Sequence, residues 1–285
     1  MNDYKFTTID KKLTIFFLLL LLPFGLLGQE KIVFGLTGTV YKGDLKTFKK
    51  WSNYLEKKLN IKVEIKFSRT YAEMMSMIKH HKVDIAYVCN STYVKLKKNN
   101  LASVLVMPIS DKKNYYYSYI ITNKTRLFTS LYDFKGHIFA FTDPDSTSGA
   151  IAPTYEIMKK NSSPKTFFKK TIYTYKHAES IQAVLDGFVD GASVDSLVYE
   201  QFSKRFPNEI KKLKIVQKLG PFTMSPIVAH NGMTKKLFLK IQQTLIDMNK
   251  DNDGKEIFKA LSLDKLNLPA GETFKSIEDM MSSIE

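Results

Sequence analysis

The sequence contains very little cysteine: Cys89 is the only one among 285 residues. A single cysteine excludes an intramolecular disulfide and any metal site built from several thiolates. We expect Cys89 to pack as a small apolar side chain in an exported protein that needs no disulfide framework. No metal centre is expected.

Signature motifs of common enzyme classes are also missing. The chain has no Gly-x-Ser-x-Gly, no phosphate loop ending in Gly-Lys-Ser/Thr, no His-Glu-x-x-His and no Gly-x-Gly-x-x-Gly. These motifs supply a nucleophile, a phosphate cradle, a zinc site and a dinucleotide site, respectively. Their absence favours a binding protein over an enzyme, with no catalytic residue and no cofactor.

Long hydrophobic runs are absent after the N-terminus, where residues 1–28 have the pattern of a signal peptide. Lys5, Lys11 and Lys12 precede an apolar run over residues 13–27, and Gly28 supplies a small residue at a possible cleavage point. An uncleaved N-terminal anchor is the alternative. No cysteine follows the run, so a lipid-modified N-terminus is not indicated. We expect an exported protein of the periplasm or cell envelope.

Acidic residues are too few to balance the basic ones, and the formal net charge is +15. The lysines are scattered as short pairs, such as Lys49-Lys50 and Lys211-Lys212, and most fall on polar faces of predicted helices. This pattern is typical of a solvated surface, and no nucleic-acid-binding motif accompanies it. We therefore expect no nucleic-acid partner, although the positive field can assist the capture of anions.

Hydrophobic periodicity predicts strands that alternate with helices in two successive blocks. The predicted strands cover residues 31–36, 61–67, 83–88, 101–107, 115–122, 138–141, 171–175, 191–194, 213–219 and 225–230. The predicted helices cover 44–59, with Asp44 as N-cap, and 71–78, 91–98, 148–159, 178–185, 196–202 and 237–248. This alternation indicates an α/β protein with a parallel, doubly wound sheet.

A second strand-like crossing near residues 219–230 implies that the chain enters a second lobe and leaves it once. We expect lobe I to comprise residues 29–120 plus 222–285, and lobe II residues 121–221. In such folds, ligands bind in the crevice beyond the carboxyl ends of parallel strands. A ligand site between the two lobes is the resulting prediction.

The most informative segment is the loop Asp143-Pro144-Asp145-Ser146-Thr147-Ser148-Gly149, between a predicted strand and a predicted helix. Ser146, Thr147 and Ser148 can donate hydroxyl hydrogen bonds at a helix N-terminus, where the macrodipole favours negative charge. An ordinary turn with a helix cap explains the same residues equally well. Asp143 and Asp145 oppose an anion unless they point away from it.

Further candidate ligand-binding residues follow other predicted strands. His177 begins a helix and could donate to an oxyanion, although a lone histidine is more often structural. Asp195 ends a strand and could pair with a ligand amine, or simply cap the next helix. The first block offers Tyr87, Ser91 and Tyr93, with Tyr41, Tyr71 and Asn90 as weaker candidates, and a buried core tyrosine is the alternative for each tyrosine.

Several motifs in order resemble the phosphate, phosphite and phosphonate-binding proteins of ABC transporters. They are Asp143-Pro144-Asp145-Ser146-Thr147-Ser148-Gly149, Ser180-Ile181-Gln182-Ala183-Val184-Leu185-Asp186-Gly187, Asp190-Gly191-Ala192-Ser193-Val194-Asp195-Ser196, and Asp84-Ile85-Ala86-Tyr87 followed by Tyr93. The motif order matches from residue 31 to about residue 230, and the Ser-Thr-Ser-Gly element is its most specific part.

The resemblance implies a type II periplasmic-binding-protein fold, in which two lobes joined by a two-stranded hinge close over a small phosphorus oxyanion. It implies that Ser146, Thr147 and Ser148 cradle the oxyanion and that His177 adds a donor. Asp195 would contact the ligand, and Tyr71 and Tyr93 would reach it from lobe I. The expected partners are the ligand and an ABC permease in the membrane, and the protein is expected to be a monomer.

Two departures from the family pattern lie on the side of lobe I. Cys89-Asn90 stands where members often have Gly-Pro, and the segment Thr37–Tyr41 lacks the usual proline. Phosphonate or phosphite is expected above phosphate, and the identity of the oxyanion stays open. A ligand-sensing receptor of the same fold is the main alternative, and a hydrolase or transferase of phosphorylated compounds is a further one.

Overall fold

The structure of the protein is a computed structural model that describes residues 31–38, 44–271 and 274–284. The predicted signal peptide and Tyr41 lie outside these residues. Across the described ranges, no helix is both long enough and apolar enough to cross a membrane.

Lobe I is built on a six-stranded sheet with the strand order β11-β4-β10-β3-β1-β2. Its strands are β1 (Lys31–Leu36), β2 (Lys62–Phe67), β3 (Ile85–Tyr87), β4 (Ala102–Ile109), β10 (Ile227–His230) and β11 (Lys265–Asn267). Strand β1 pairs in parallel with β2 and β3, whereas β10 lies antiparallel between β3 and β4.

Lobe II is built on a five-stranded sheet with the strand order β7-β6-β8-β5-β9. Its strands are β5 (Tyr115–Asn123), β6 (Ile138–Phe141), β7 (Lys170–Tyr173), β8 (Gly191–Asp195) and β9 (Leu213–Thr223). Strand β6 pairs in parallel with β7 and β8, and β5 lies antiparallel between β8 and β9.

The chain crosses between the two sheets twice, at residues 110–114 and at residues 224–226. The two crossing segments are themselves joined, because the Met224 N–H donates to the Asn114 carbonyl at 2.9 Å. The prediction of two α/β lobes with a two-stranded connection is therefore confirmed. The predicted lobe boundaries, at 120/121 and 221/222, fall inside strands β5 and β9. In the structure, the first crossing lies before β5 and the second lies after β9.

The helices are those that the periodicity predicts, with several additions. They are α1 (Leu45–Leu59), α2 (Tyr71–Lys79), α3 (Asn90–Lys98), α4 (Ala152–Met158), α5 (Pro164–Phe167), α6 (His177–Leu185), α7 (Ser196–Arg205), α8 (Pro207–Ile210), α9 (Lys235–Asp247), α10 (Asn252–Ala260) and α11 (Lys275–Ile284). Asp44 occupies the N-cap position of α1, but its side chain makes no capping hydrogen bond. Its carboxylate instead lies 3.7 Å from the guanidinium of Arg205 in the other lobe.

The predicted helix over 148–159 begins differently from the expectation. A π-helical turn spans Thr147–Ile151, and α4 continues from it. The cause is the Ser146 carbonyl, which accepts hydrogen bonds from both the Ala150 and the Ile151 N–H groups, at 3.0 and 2.9 Å. Pro153 has no N–H to donate, which removes one bond from the α-helical ladder at this point.

The C-terminal helix α11 packs across both lobes. Its apolar residues share one buried cluster with α3 of lobe I and with the start of α4 in lobe II: Tyr93, Val94, Ile151, Ala152, Phe274, Ile277, Met280 and Met281. Helix α11 therefore lies beside the Ser146–Ser148 loop, although its residues follow that loop by about 130 positions in the sequence.

We predict that Phe34→Ala lowers the free energy of unfolding by about 3–5 kcal/mol. Phe34 lies on the interior strand β1, is fully buried, and packs edge-to-face on Trp51 with ring centroids 5.6 Å apart. Urea unfolding measures the change. Leu127→Ala, at a side chain that is 93% exposed, is the control and should change the value by less than about 0.5 kcal/mol.

Candidate functional site

The predicted site residues of lobe II lie at one edge of its sheet. The Ser146–Ser148 loop follows β6, His177 begins α6 after β7, and Asp195 ends β8. These three strands are parallel neighbours, so their carboxyl ends meet at the same edge, which faces lobe I. The fold therefore brings together residues that are far apart in the sequence.

The Ser146–Ser148 loop is buried and held in a fixed conformation. Ser146 caps the turn that follows, since its Oγ accepts the Gly149 N–H at 3.0 Å. The Ser148 carbonyl accepts the buried hydroxyls of Ser118 on β5 and Ser193 on β8, both at 2.6 Å. The Ser148 hydroxyl is buried beside the Tyr116 hydroxyl, and it completes no hydrogen bond to a third group among the described residues. The loop thus combines a helix cap with a buried hydroxyl pair.

The two aspartates of this loop point away from its hydroxyls and towards lobe I. The Asp143 carboxylate accepts the N–H of Tyr71, in the first turn of α2, at 2.9 Å, and the N–H of Asp145 at 2.8 Å. The Asp145 carboxylate pairs with the Lys95 ammonium at 2.5 Å. The Tyr71 N–H and the Lys95 ammonium offset part of the cost of burying these carboxylates, although burial still raises the pKa of Asp143 above its ordinary value. With both carboxylates directed away from the loop hydroxyls, the two aspartates do not oppose an anion at the loop.

Thr147 joins the two lobes through both of its polar groups. Its Oγ1 accepts the Ser91 N–H at 3.0 Å, and its own N–H donates to the Cys89 sulfur at 3.3 Å. The Ser91 hydroxyl donates to the Asp145 carbonyl and, at 3.6 Å, to the same sulfur. Cys89 is buried as expected, but it does more than fill apolar space. Its sulfur accepts the Thr147 N–H across the lobes, its thiol donates to Thr147 Oγ1 at 3.4 Å, and burial raises the pKa of the thiol.

His177 is a neutral donor in this arrangement. The backbone N–H of Asp195 donates to His177 Nδ1 at 3.0 Å, so Nδ1 carries no proton. Full burial of the ring lowers the pKa of His177 to about 3, which keeps the imidazole uncharged at neutral pH. The proton of the neutral ring is then on Nε2, where it can be donated.

Asp195 is the N-cap of α7, as the sequence allows. Its Oδ1 accepts the N–H groups of Leu197 at 2.7 Å and Val198 at 3.4 Å. Burial raises the pKa of the Asp195 carboxyl to about 7, against the lowering effect of these two N–H groups. The carboxyl therefore changes its charge near neutral pH.

Three buried phenols surround Asp195: Tyr71 and Tyr87 of lobe I, and Tyr116 on β5. Burial raises the pKa of each phenol, and the negative charge of Asp195 raises it further, so all three are protonated donors. The Tyr116 hydroxyl lies beside the Ser148 hydroxyl and completes no hydrogen bond to a third group among the described residues. Tyr116 was not among the residues predicted from the sequence. In the structure it faces inwards, with 2% of its surface exposed against 36% for Tyr115, but the run of tyrosines gives no alternation from which this could be predicted.

Two candidates from the sequence do not join this cluster. The Tyr93 ring packs against Phe274 with centroids 4.7 Å apart, in the apolar cluster under α11. The Asn90 side chain donates to the Thr223 carbonyl at 2.6 Å, next to the second crossing between the lobes. Ser91 lies at the contact with Thr147, as described above. The lobe I residues that lie beside Asp195 and the Ser146–Ser148 loop are therefore Tyr71, Tyr87 and Cys89.

The family model for "ABC transporter, phosphonate, periplasmic substrate-binding protein" matches residues 34–273. The chain belongs to this family. A curated relative, the phosphonates-binding periplasmic protein of Escherichia coli K12, is 28% identical over 242 residues, covering 82% of this chain and 71% of the relative. The family identified from the motifs is thus confirmed. Its members are extracytoplasmic binding proteins for transport rather than enzymes.

Two solved structures of phosphonate transport proteins share the fold. One is a binding protein component of an ABC phosphonate transporter from Pseudomonas aeruginosa, with a TM-score of 0.83 and 23% identity, covering 89% of this chain and 86% of that one. The other is PhnD1 from Prochlorococcus marinus in complex with methylphosphonate, with a TM-score of 0.80 and 19% identity, covering 90% and 98%. The predicted type II periplasmic-binding fold is confirmed.

We predict that Asp195→Asn gains stability relative to the wild type, by roughly 3 kcal/mol, as the pH rises from 4 to 8. Between its ordinary value of 3.8 and about 7, the folded Asp195 holds a proton that the unfolded chain releases. The wild type therefore loses stability at this group as pH rises, and asparagine, which still caps the helix, does not.

Urea unfolding at several pH values measures this difference. The pKa of His177, lowered to about 3, has the opposite effect, raising stability between pH 3 and 6.5, but it contributes to both proteins and cancels in the comparison. A stability difference between variant and wild type that does not change with pH would show that Asp195 is ionised throughout.

We predict that Thr147→Val weakens the contact between the lobes. The substitution keeps the size of the side chain but removes the acceptor of the Ser91 N–H, and an unsatisfied buried N–H costs about 1–3 kcal/mol. Small-angle X-ray scattering should show a larger radius of gyration for the variant. Thr125→Val, at an exposed threonine, is the control, and equal radii for all three proteins would contradict the assignment.

Proposed function

We propose that this protein binds a small phosphorus oxyanion between its lobes and delivers it to an ABC permease. The observation that carries the proposal is the pair of buried hydroxyls of Ser148 and Tyr116, which lie beside each other and complete no hydrogen bond to a third group among the described residues. If one hydroxyl donates to the other, one buried donor is still without an acceptor, and because buried polar groups are nearly always hydrogen-bonded, this indicates a ligand with acceptor oxygens. The match to the phosphonate-binding family supports the same ligand class.

The surrounding groups suit an oxyanion. The N–H groups of Thr147, Gly149, Ala150 and Ile151 already have acceptors within the protein, so the donors beside Ser148 are side chains: the Nε2 of neutral His177 and the phenol of Tyr71. We assign Ser146 and Thr147 to shaping the loop and joining the lobes. Ser148, Tyr116, Tyr71 and His177 are the proposed direct donors, with Tyr87 next to them.

Asp195 provides a reason for preferring phosphonate or phosphite to phosphate. Above pH 7 its carboxyl is ionised, because burial raises its pKa only to about that value. A negative charge at this place disfavours a fourth oxygen on phosphorus, and tolerates the carbon of a phosphonate or the hydrogen of a phosphite. A phosphonate with an amine can gain further by pairing with this carboxylate.

Binding is coupled to closure of the lobes in this proposal. The contacts of Ser91 with Thr147, Tyr71 with Asp143, and Lys95 with Asp145 all join the two lobes. A ligand that bridges Ser148 and Tyr71 binds only when these contacts form, so it shifts the population towards the closed form. The closed form would then dock on the permease. We further propose that the protein is an exported monomer whose residues 1–28 are the signal peptide, without metal, cofactor or nucleic-acid partner.

We predict that Ser148→Ala weakens binding of methylphosphonate by roughly 10- to 100-fold, because a hydrogen bond to a charged group contributes about 1.5–3 kcal/mol. Titration calorimetry with methylphosphonate, phosphite and phosphate measures it. The Ser148 carbonyl, which positions the loop, is unchanged in the variant. Ser76→Ala, at an exposed serine of α2, is the control.

Two outcomes would contradict the proposed function. One is the absence of binding, or only millimolar affinity, for all three oxyanions with the wild-type protein. The other is an unchanged affinity in Ser148→Ala and in Tyr116→Phe, which would remove the two buried hydroxyls from the site.

A further inference from the structure

A cavity of about 990 Å³ lies between the lobes, next to the proposed oxyanion site. At its inner end are Asp195, Tyr87 and Ser225, and it extends outwards along α7. This volume is at the upper end of the range for small-molecule sites, and it equals the space of about thirty water molecules. Methylphosphonate would occupy only a small part of it.

Closure of the lobes does not remove this cavity, because the lobes already touch on both sides of it. On one side are the Thr147–Ser91 and Asp145–Lys95 contacts. On the other side, α7 reaches lobe I: the Gln201 amide donates to the Leu261 carbonyl at 3.0 Å. One turn further along α7, the Lys204 ammonium donates to the Ser262 hydroxyl of lobe I at 3.3 Å. The space is therefore a built part of the closed protein.

Aromatic and aliphatic side chains make up about half of the cavity lining, and polar or charged side chains make up the rest. The apolar ones include Trp51, Tyr119, Val198, Ile227, Phe258 and Leu261, drawn from both lobes. Two of the charged residues are buried: Asp195, and Asp44, whose carboxylate lies 3.7 Å from the Arg205 guanidinium. The other charged lining residues are exposed to solvent: Asp111, Glu200, Lys204, Lys255, Lys259 and Asp264. The buried part of the lining therefore keeps apolar side chains against which an apolar group can pack.

We propose that this cavity receives the organic substituent of the ligand, and that the protein takes phosphonates with a bulky aromatic or alkyl group. The inference rests on the proposed function, since it places the phosphonate head at Ser148 and Tyr116. Asp195 is the junction: it belongs to the oxyanion cluster and also lines the cavity. A carbon substituent directed past Asp195 enters the cavity.

The first test is a series of ligands with one phosphonate head and substituents of increasing size: methyl-, butyl- and phenylphosphonate. Calorimetry should show that phenylphosphonate binds at least about tenfold more tightly than methylphosphonate, because its ring is buried against apolar walls. Equal or weaker binding of phenylphosphonate, with methylphosphonate still bound, would overturn this inference and leave the proposed function intact. Failure of all three to bind would overturn the proposed function itself.

The second test fills the cavity from its wall. Ser203 lies on α7, is half-buried and lines the cavity, so Ser203→Trp should place a ring in it. The tighter binding of phenylphosphonate should be lost while the affinity for methylphosphonate stays within about twofold. Ser203→Ala is the matched control and should behave as the wild type.

A second filling variant, Ile215→Phe, approaches from β9 on the side of lobe II. It should reduce the phenylphosphonate preference in the same way, and thermal unfolding checks that both variants fold. Retention of the full preference in both folded variants would overturn the inference, as would equal loss of methylphosphonate and phenylphosphonate binding.

Discussion

The structure depends on how the buried polar groups between the lobes are paired. Loop residues that could bind an anion, Ser146 to Ser148, share a short segment with two carboxylates that would repel it. The conflict is resolved because Asp143 and Asp145 are stabilised by lobe I, at the start of α2 and at Lys95. The same contacts hold the lobes together, so the electrostatics of the loop and the closure of the cleft have one cause.

The neutrality of the site follows from its burial. Removing His177, Tyr71 and Tyr116 from water favours their uncharged forms, so the site presents donors without positive charge. In the proposed function, the anion would be held by oriented N–H and O–H dipoles, while the excess lysines remain on the surface. Asp195 is the exception, since its pKa of about 7 lets its charge respond to pH and to the ligand.

The parts of the fold with a local signal could be predicted from the sequence. Strand and helix periodicity predicted both lobes. Polar residues at the junctions of strands and helices predicted that the Ser146–Ser148 loop, His177 and Asp195 lie at one edge of the sheet. The features that the sequence did not predict depend on contacts between distant residues. Tyr93 packs against Phe274, which comes about 180 residues later and directly precedes helix α11. No pattern around Tyr93 indicates this contact. The inward face of Tyr116 was hidden among neighbouring tyrosines, and the π-helical turn depends on one shared carbonyl.

The position of Cys89 allows opening of the lobes to be followed through the reactivity of its thiol. Its sulfur is buried beneath Thr147 at the line where the lobes meet, and the sequence has no other thiol. A thiol reagent can reach it only when the lobes separate or the chain unfolds. The rate at which Cys89 is alkylated therefore reports how often the cleft opens, and it can be measured on the native sequence without attaching a label.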